Sequence, residues 1–384
     1  MSTRSMPLRD ASSHVTAQHD ALMSRLAERA DLAEIDPAGL APEIDMLRHA
    51  GLLAACLPGD DGGAGLGLHA RSAVSAFELL RRMGRANLSV ARLFEGHINA
   101  VKLLCLYGES RLRARIFPAV RDGALLGVWG ADGPRPLRYA PFGDHLRLDG
   151  EKVFASGLGL VRFAIVTLRE DTSDEGPSRL ALLEVSDPQR QDPSAWKASG
   201  MRATASGRFD FAGMAFDPDQ FVGRPGDYER EPHFEGGIWR YCAAHLGGAE
   251  ALVDLWQHAL AARKRLDDPM QLTRYARAVS LCRAMTSLLR ETSQTVEAAV
   301  NSDPAATDAA VADALLARQF VEESCVEILQ LAEKSLGTAA HVRRTSIERI
   351  RRDLSMFLRQ AAPDAKLLKA GRLLAAVPAG SRPW

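Results

Sequence analysis

Apolar positions recur three or four residues apart from Ala17 to Arg29 and again from Pro42 to Ala50, where Glu43 and Asp45 sit in the first turn and Gly51 closes the segment. That spacing predicts two short amphipathic helices, with acidic side chains at the electropositive end and glycine at the stop. Glycines at 59, 62, 63, 65 and 67 then predict a sharp turn between helical units. From about His69 to Tyr107 the helical period returns through Val74, Phe77, Leu80, Leu93, Ile98, Val101 and Leu104, and a further helix ends near Gly123. The period changes at Leu125. Short apolar or alternating runs, at Leu126 to Val128, Leu146 to Val153, Phe163 to Leu168, Leu180 to Val185 and Phe209 to Phe211, lie between Gly, Pro and Asp clusters and predict a region of strands.

After Gly226 the helical period resumes in segments of roughly Phe234 to Arg265, Pro269 to Ser302, Ala306 to Ser335 and Arg344 to Gln360. Each exceeds the usual helix of about 11–12 residues, as expected of a bundle with apolar surface to spare for a second subunit. The expected organisation is a multidomain α+β protein: an N-terminal all-α domain over residues 1–123, a central β-barrel-like domain over 124–228 and a C-terminal four-helix bundle over 229–384.

Composition narrows the function classes. Lys plus Arg and Asp plus Glu both number 48, so there is no basic field to hold a phosphate backbone, and nucleic acid is not an expected partner. The arginines at 343, 344, 349, 351 and 352 are read as a solvated or interface helix face. The 5 cysteines are scattered, with no CxxC pair and no adjacent histidine set, which argues against a disulfide framework and a zinc site. No apolar run reaches about 18 residues and the first twenty residues are polar, so neither a membrane span nor a signal segment is expected and a cytoplasmic protein is.

The punctuation of all three regions resembles the acyl-CoA dehydrogenase family of FAD-dependent oxidoreductases, over about residues 15 to 376. Gly51-Leu-Leu-Ala-Ala-Cys-Leu-Pro58 with Gly62-Gly63-Ala-Gly65 looks like its first turn motif. Gly127-Val-Trp129-Gly130-Ala131-Asp132-Gly133-Pro134 stands where the family has a strand ending in Thr-Glu-Pro against the flavin pyrimidine edge, which implies cofactor contacts for Trp129, Ala131 and Asp132. Ala131 brings no hydroxyl, so one such contact is lost or moved. Leu148-Asp-Gly150-Glu-Lys152-Val-Phe154-Ala155-Ser156 resembles the strand whose aromatic packs on the isoalloxazine and whose hydroxyl bonds near N5, implying those roles for Phe154 and Ser156. A flat redox ring needs such an apolar face plus a directional donor.

Gly200-Met-Arg202-Ala-Thr204-Ala-Ser206 resembles the turn that touches the acyl or flavin side, making Arg202 a substrate-binding candidate. Arg240-Tyr-Cys-Ala-Ala-His245-Leu-Gly247-Gly248 is similar to the first long bundle helix, whose glycine permits close helix approach. Leu336-Gly337-Thr338 stands where one subunit meets its neighbour's FAD pyrophosphate, which implies cofactor contacts for Lys334, Gly337 and Thr338. Ile347-Glu-Arg349-Ile-Arg-Arg352-Asp353 resembles a helix whose Arg-Asp pair is read as a structural ion pair.

The chain departs from the family at the catalytic carboxylate. The position about two turns beyond the Arg-Asp pair falls on Gln360-Ala361-Ala362-Pro363-Asp364, without Glu, and the alternative position falls near Gly237. Glu235 and Asp364 are the candidate bases, though Asp364, just after Pro363, is more simply a helix cap. The resemblance implies FAD as cofactor, an acyl thioester of CoA or a carrier protein as substrate, an electron-transfer protein or oxygen as acceptor, and a homodimer or homotetramer. Three functions stay open: acyl thioester dehydrogenation, which leads; a flavin-dependent monooxygenase, which needs no base for an α proton; and a non-catalytic flavin or acyl binder.

Overall fold

The helical stretches of the sequence begin and end on local chemistry that the computed structural model makes visible; it describes residues 8–36, 38–171, 176–360 and 362–377. The first third holds α1 (Leu8–Arg29), α2 (Ala41–His49), α3 (Leu52–Ala55), α4 (Ala70–Ala86), α5 (Leu88–Tyr107) and α6 (Ser110–Arg121). The single long period expected from His69 to Tyr107 is two helices. Asn87 breaks it with an extended backbone and caps α5 through its side-chain oxygen, which accepts the Ser89 and Val90 N–H groups.

Among the described residues, ten strands follow between Leu125 and Val222: β1 (Leu125–Trp129), β2 (Arg138–Phe142), β3 (His145–Asp149), β4 (Glu151–Ala155), β5 (Val161–Glu170), β6 (Arg179–Glu184), β7 (Gln191–Asp192), β8 (Gly207–Asp210), β9 (Ala215–Phe216) and β10 (Phe221–Val222). They form one sheet in the order β10-β6-β5-β2-β3-β9, with β1 parallel to β5, and a smaller sheet β4-β8-β7. The β4–β8 register slips between Lys152 and Ala155. Such a bulge re-aims side chains, and the one it re-aims here is Phe154.

The last region contains α7 (Trp239–Ala262), α8 (Pro269–Ala298), α9 (Pro304–Leu336), α10 (Ser346–Phe357) and α11 (Pro363–Ala376). Asp268 and Asp303 cap α8 and α9, each followed by a proline at the first helical position. The α4–α7 crossing is close. A Cβ on Gly247 would lie 1.9 Å from the Arg81 carbonyl oxygen, so only glycine lets the two backbones meet. One apolar core runs through all three regions, from Phe77 and Phe94 through Leu126 and Phe209 to Trp239 and Trp256.

Two side chains tie the regions together at the place where the strands face the helices. His97 on α5 is fully buried; its Nδ1 accepts the Leu126 N–H of β1 at 3.0 Å and its Nε2 lies 3.0 Å from the Leu53 carbonyl. Asp353 on α10 accepts the Met201 N–H at 2.7 Å. Burial pushes the Asp353 carboxyl up to about 6, against the lowering effect of that bond. Arg352 turns to Glu34 at 2.6 Å and stands 3.8 Å from Asp353, so the expected Arg352–Asp353 pair is part of a wider network.

Candidate functional site

The end of β1 divides two cavities. Val128, Gly130 and Ala131 line both: one of 440 Å3 toward β4 and α10, the other of 430 Å3 toward α5 and α7. Each is within the range of about 300–1,000 Å3 usual for small-molecule sites.

In the first cavity, Phe154 has a left-handed φ of 53° and leaves 63% of its surface uncovered, in edge-to-face contact with Trp196 at 5.9 Å. Such a φ is uncommon for a residue other than glycine, and it comes with the bulge in β4. The Trp196 indole N–H is buried and has no partner among the described residues. A hydroxyl chain runs along the same wall. Thr204 donates to the Met201 carbonyl at 2.6 Å and accepts from Ser206 at 2.7 Å, and the Ser156 hydroxyl lies 3.2 Å from that of Ser206. The Trp129 indole donates to the Ser156 carbonyl at 3.1 Å. The turn carrying Thr204 is pinned against α10, where a Cβ on Gly200 would lie 2.5 Å from the Arg352 carbonyl oxygen. Arg92, Met356, Phe357, Arg359 and Gln360 close the opposite side. An uncovered aromatic face, an orphaned indole donor and a row of hydroxyls fit a flat, acceptor-edged ring.

The residues singled out in the sequence separate in space. Trp129, Ala131, Phe154 and Ser156 line this cavity together. Asp132 does not: it receives the fully buried Lys152 ammonium at 2.6 Å and the Leu137 N–H at 3.1 Å, and so fixes the turn behind the cavity. Lys152 also reaches Thr167, whose hydroxyl bonds the Gly130 carbonyl at 3.0 Å. Thr167 thus brings from β5 a hydroxyl to the turn where Ala131 has none. Arg202 is exposed and lines neither cavity, although its neighbours Met201 and Thr204 line the first. Lys334, Gly337 and Thr338 are exposed at the end of α9, away from both cavities within one chain.

The two candidate bases share no cavity. Glu235 is engaged by Lys366 at 3.3 Å and Lys369 at 3.6 Å. Asp364 lies in the first turn of α11, beside an exposed groove of Leu367, Leu368 and Ala375; the capping position is Ala362.

The second cavity holds charges that sequence reading missed. Lys102, buried on α5, pairs with Glu297 of α8, and Arg240 of α7 bonds the other Glu297 oxygen. Burial, followed by the neighbouring Arg240 charge, pulls the Lys102 ammonium down to about 8. His233 is pushed down to about 4, chiefly by burial and then by the Lys102 charge, so its ring is neutral near pH 7. Burial raises the Tyr228 phenol to about 12. Glu95 is held by Arg92 at 2.6 Å and by Asn99. It is the one carboxylate lining either cavity among the described residues. Neither cavity therefore presents an unpaired carboxylate. The signal available in the sequence was Glu95, His97 and Lys102 within an otherwise apolar helix.

Residues 240–361 match the family model "Acyl-CoA dehydrogenase, C-terminal domain". Over this C-terminal region the chain is acyl-CoA dehydrogenase-like. This acyl-CoA dehydrogenase-like protein superposes on the FMN-bound TdsC of Paenibacillus sp. A11-2 with a TM-score of 0.83 and 20% identity, covering 94% of this chain and 97% of that one. It is 26% identical over 211 residues to a dibenzothiophene monooxygenase of Rhodococcus erythropolis, a match covering 51% of this chain and 49% of the relative. The aligned part of the chain thus spans about half the length of that relative. A mitochondrial isobutyryl-CoA dehydrogenase of Dictyostelium discoideum is 22% identical over 350 residues, 86% of this chain and 80% of the relative. No described helix is long and apolar enough to cross a membrane.

Proposed function

We propose that this acyl-CoA dehydrogenase-like protein is a flavin-dependent monooxygenase, with the flavin against Phe154 and an organic substrate in the adjoining cavity. The observation that carries this reading is the pair of cavities meeting at Val128, Gly130 and Ala131 with no unpaired carboxylate in either. Desaturation of an acyl thioester needs a base for the α proton; oxygen insertion does not. A flavin supplied in the reduced form delivers two electrons to dioxygen, one oxygen atom going to the substrate and the other to water.

The protein's own groups have defined parts in this reading. Phe154 and Trp196 flank the ring, and Ser156, backed by Ser206 and Thr204, supplies a hydroxyl to its edge. Asp353 holds the Gly200–Ser206 turn against α10, and Lys152 with Asp132 holds the turn after β1. Val128, which borders both cavities, and Leu103 and Ile238 of the second make the walls there apolar, which helps exclude water from the reacting centre. His233 offers a neutral ring that can accept or donate a proton.

Support for a flavin comes also from the FMN-bound structure to which the chain is similar, so the FAD expected from the sequence becomes a choice between FAD and FMN. Acyl thioester dehydrogenation is the second reading, supported by the longer match to isobutyryl-CoA dehydrogenase. Purified protein titrated with FMN and with FAD, then reduced and mixed with oxygen and substrate, should form an oxygenated product. Anaerobic bleaching of bound flavin by an acyl thioester would overturn the monooxygenase reading in favour of the dehydrogenase.

A further inference from the structure

The charges around the second cavity do not balance. Glu95 has Arg92 at 2.6 Å, and Lys366 and Lys369 face Glu235 and Glu231. Lys102 and Arg240, both buried and both lining the cavity, share the single carboxylate of Glu297. Each Glu297 oxygen is occupied by one cation. The Arg240 guanidinium spends one further N–H on the Gly237 carbonyl at 3.3 Å, and its buried Nε has no partner among the described residues. An ammonium carries three donors and a guanidinium five, so donors remain on both groups. A buried cation without its own counter-ion is costly, and the cavity is where an anion can reach it.

The remaining walls say what such an anion is attached to. Leu103, Leu106, Val128, Phe234 and Ile238 form the apolar part, running from the two cations toward the partition shared with the first cavity. We infer that the second cavity selects an organic anion, its oxyanion head group bound by Lys102 and Arg240 and its apolar body reaching Val128 and Ala131. The inference rests on the monooxygenase reading for calling this compound a substrate, and on the cavity alone for its binding. Charge-assisted hydrogen bonds to a carboxylate are stronger and more directional than those to a neutral amide of the same shape, so the head group sets the preference.

The test compares three acids, benzoate, 3-phenylpropionate and naphthalene-2-carboxylate, with their primary amides, by calorimetry on the full-length protein. At least one acid should bind about tenfold or more tighter than its amide, as charge-assisted pairing requires. The preference should fall to within about threefold in Lys102→Met and in Arg240→Met, each of which leaves Glu297 with one cation and no surplus. Failure of every acid to outbind its amide overturns the inference, and so does a preference that survives in a folded Lys102→Met or Arg240→Met protein. If neither variant folds, the comparison of acids with amides on the native chain still decides. Flavin uptake, read by absorbance on the same samples, separates the two claims: acid preference without flavin binding sinks the monooxygenase reading alone.

Discussion

Acid should loosen this protein through His97. Its Nδ1 accepts the Leu126 N–H, so the ring must carry its proton on Nε2 and donate it to the Leu53 carbonyl. A second proton on Nδ1 would face the Leu126 N–H with nowhere to go. Burial accordingly pushes the His97 imidazole from 6.5 down to about 4. The unfolded chain then binds one more proton than the folded chain between those values, and stability is lost as pH falls from 6.5 toward 4. At roughly 1.4 kcal/mol per unit the difference is about 3 kcal/mol. His97→Gln stays neutral throughout and keeps one donor and one acceptor. His233 and His245, pushed down in the same direction, and the titrating carboxylates are common to both proteins and drop out of the comparison. Urea unfolding followed by circular dichroism from pH 7 to pH 4 should show the native protein losing about 3 kcal/mol more than the variant. Parallel pH profiles would refute the assignment of His97 as the neutral tie between α5 and β1.

Other expectations follow from single contacts. Phe154→Ala should weaken flavin binding by about tenfold in an absorbance titration while leaving the melting temperature nearly unchanged, because the ring is mostly uncovered in the protein alone. An unaltered affinity would remove Phe154 from the cofactor site. Gly247→Ala should cost about 1–3 kcal/mol in thermal unfolding, since the added methyl meets the Arg81 backbone and not a side chain that can swing aside. Binding of an acid at the Lys102 cavity should weaken as pH rises through about 8, where the ammonium loses its proton. Around it, Glu297 keeps its charge at that pH, His233 is already neutral, and the Cys105 thiol is raised to about 11, so calorimetry from pH 6 to pH 9.5 reads Lys102.

Local periodicity carried the helices and the change to strands at Leu125, because burial of one face repeats at the spacing of the element. It hid the break at Asn87, since α4 and α5 both bury apolar positions and the pattern runs on across the cap. The Phe154 and Ser156 segment was legible as a motif, being short and contiguous. The close crossing at Gly247 was legible for the same reason. The Lys102–Glu297–Arg240 cluster was not: its members lie on three helices, 195 and 57 residues apart along the chain, and no spacing rule links them. Lys334, Gly337 and Thr338 were read from a role in a subunit pair, and within one chain they are surface residues. Glu235 and Asp364 were placed by counting along helices, which cannot register that two lysines already claim the first and that the second belongs to another face.

One strand end serving as partition between two chambers has a consequence for how this protein can diversify. A larger side chain at Ala131 would take space from both chambers at once, so recognition of a new compound could not be tuned there without disturbing the flavin proposed for the first. The freedom lies in Leu106, Tyr228 and Phe234, which border the second chamber and not the first. Changes in what the protein accepts should accumulate at those positions, while the partition stays small.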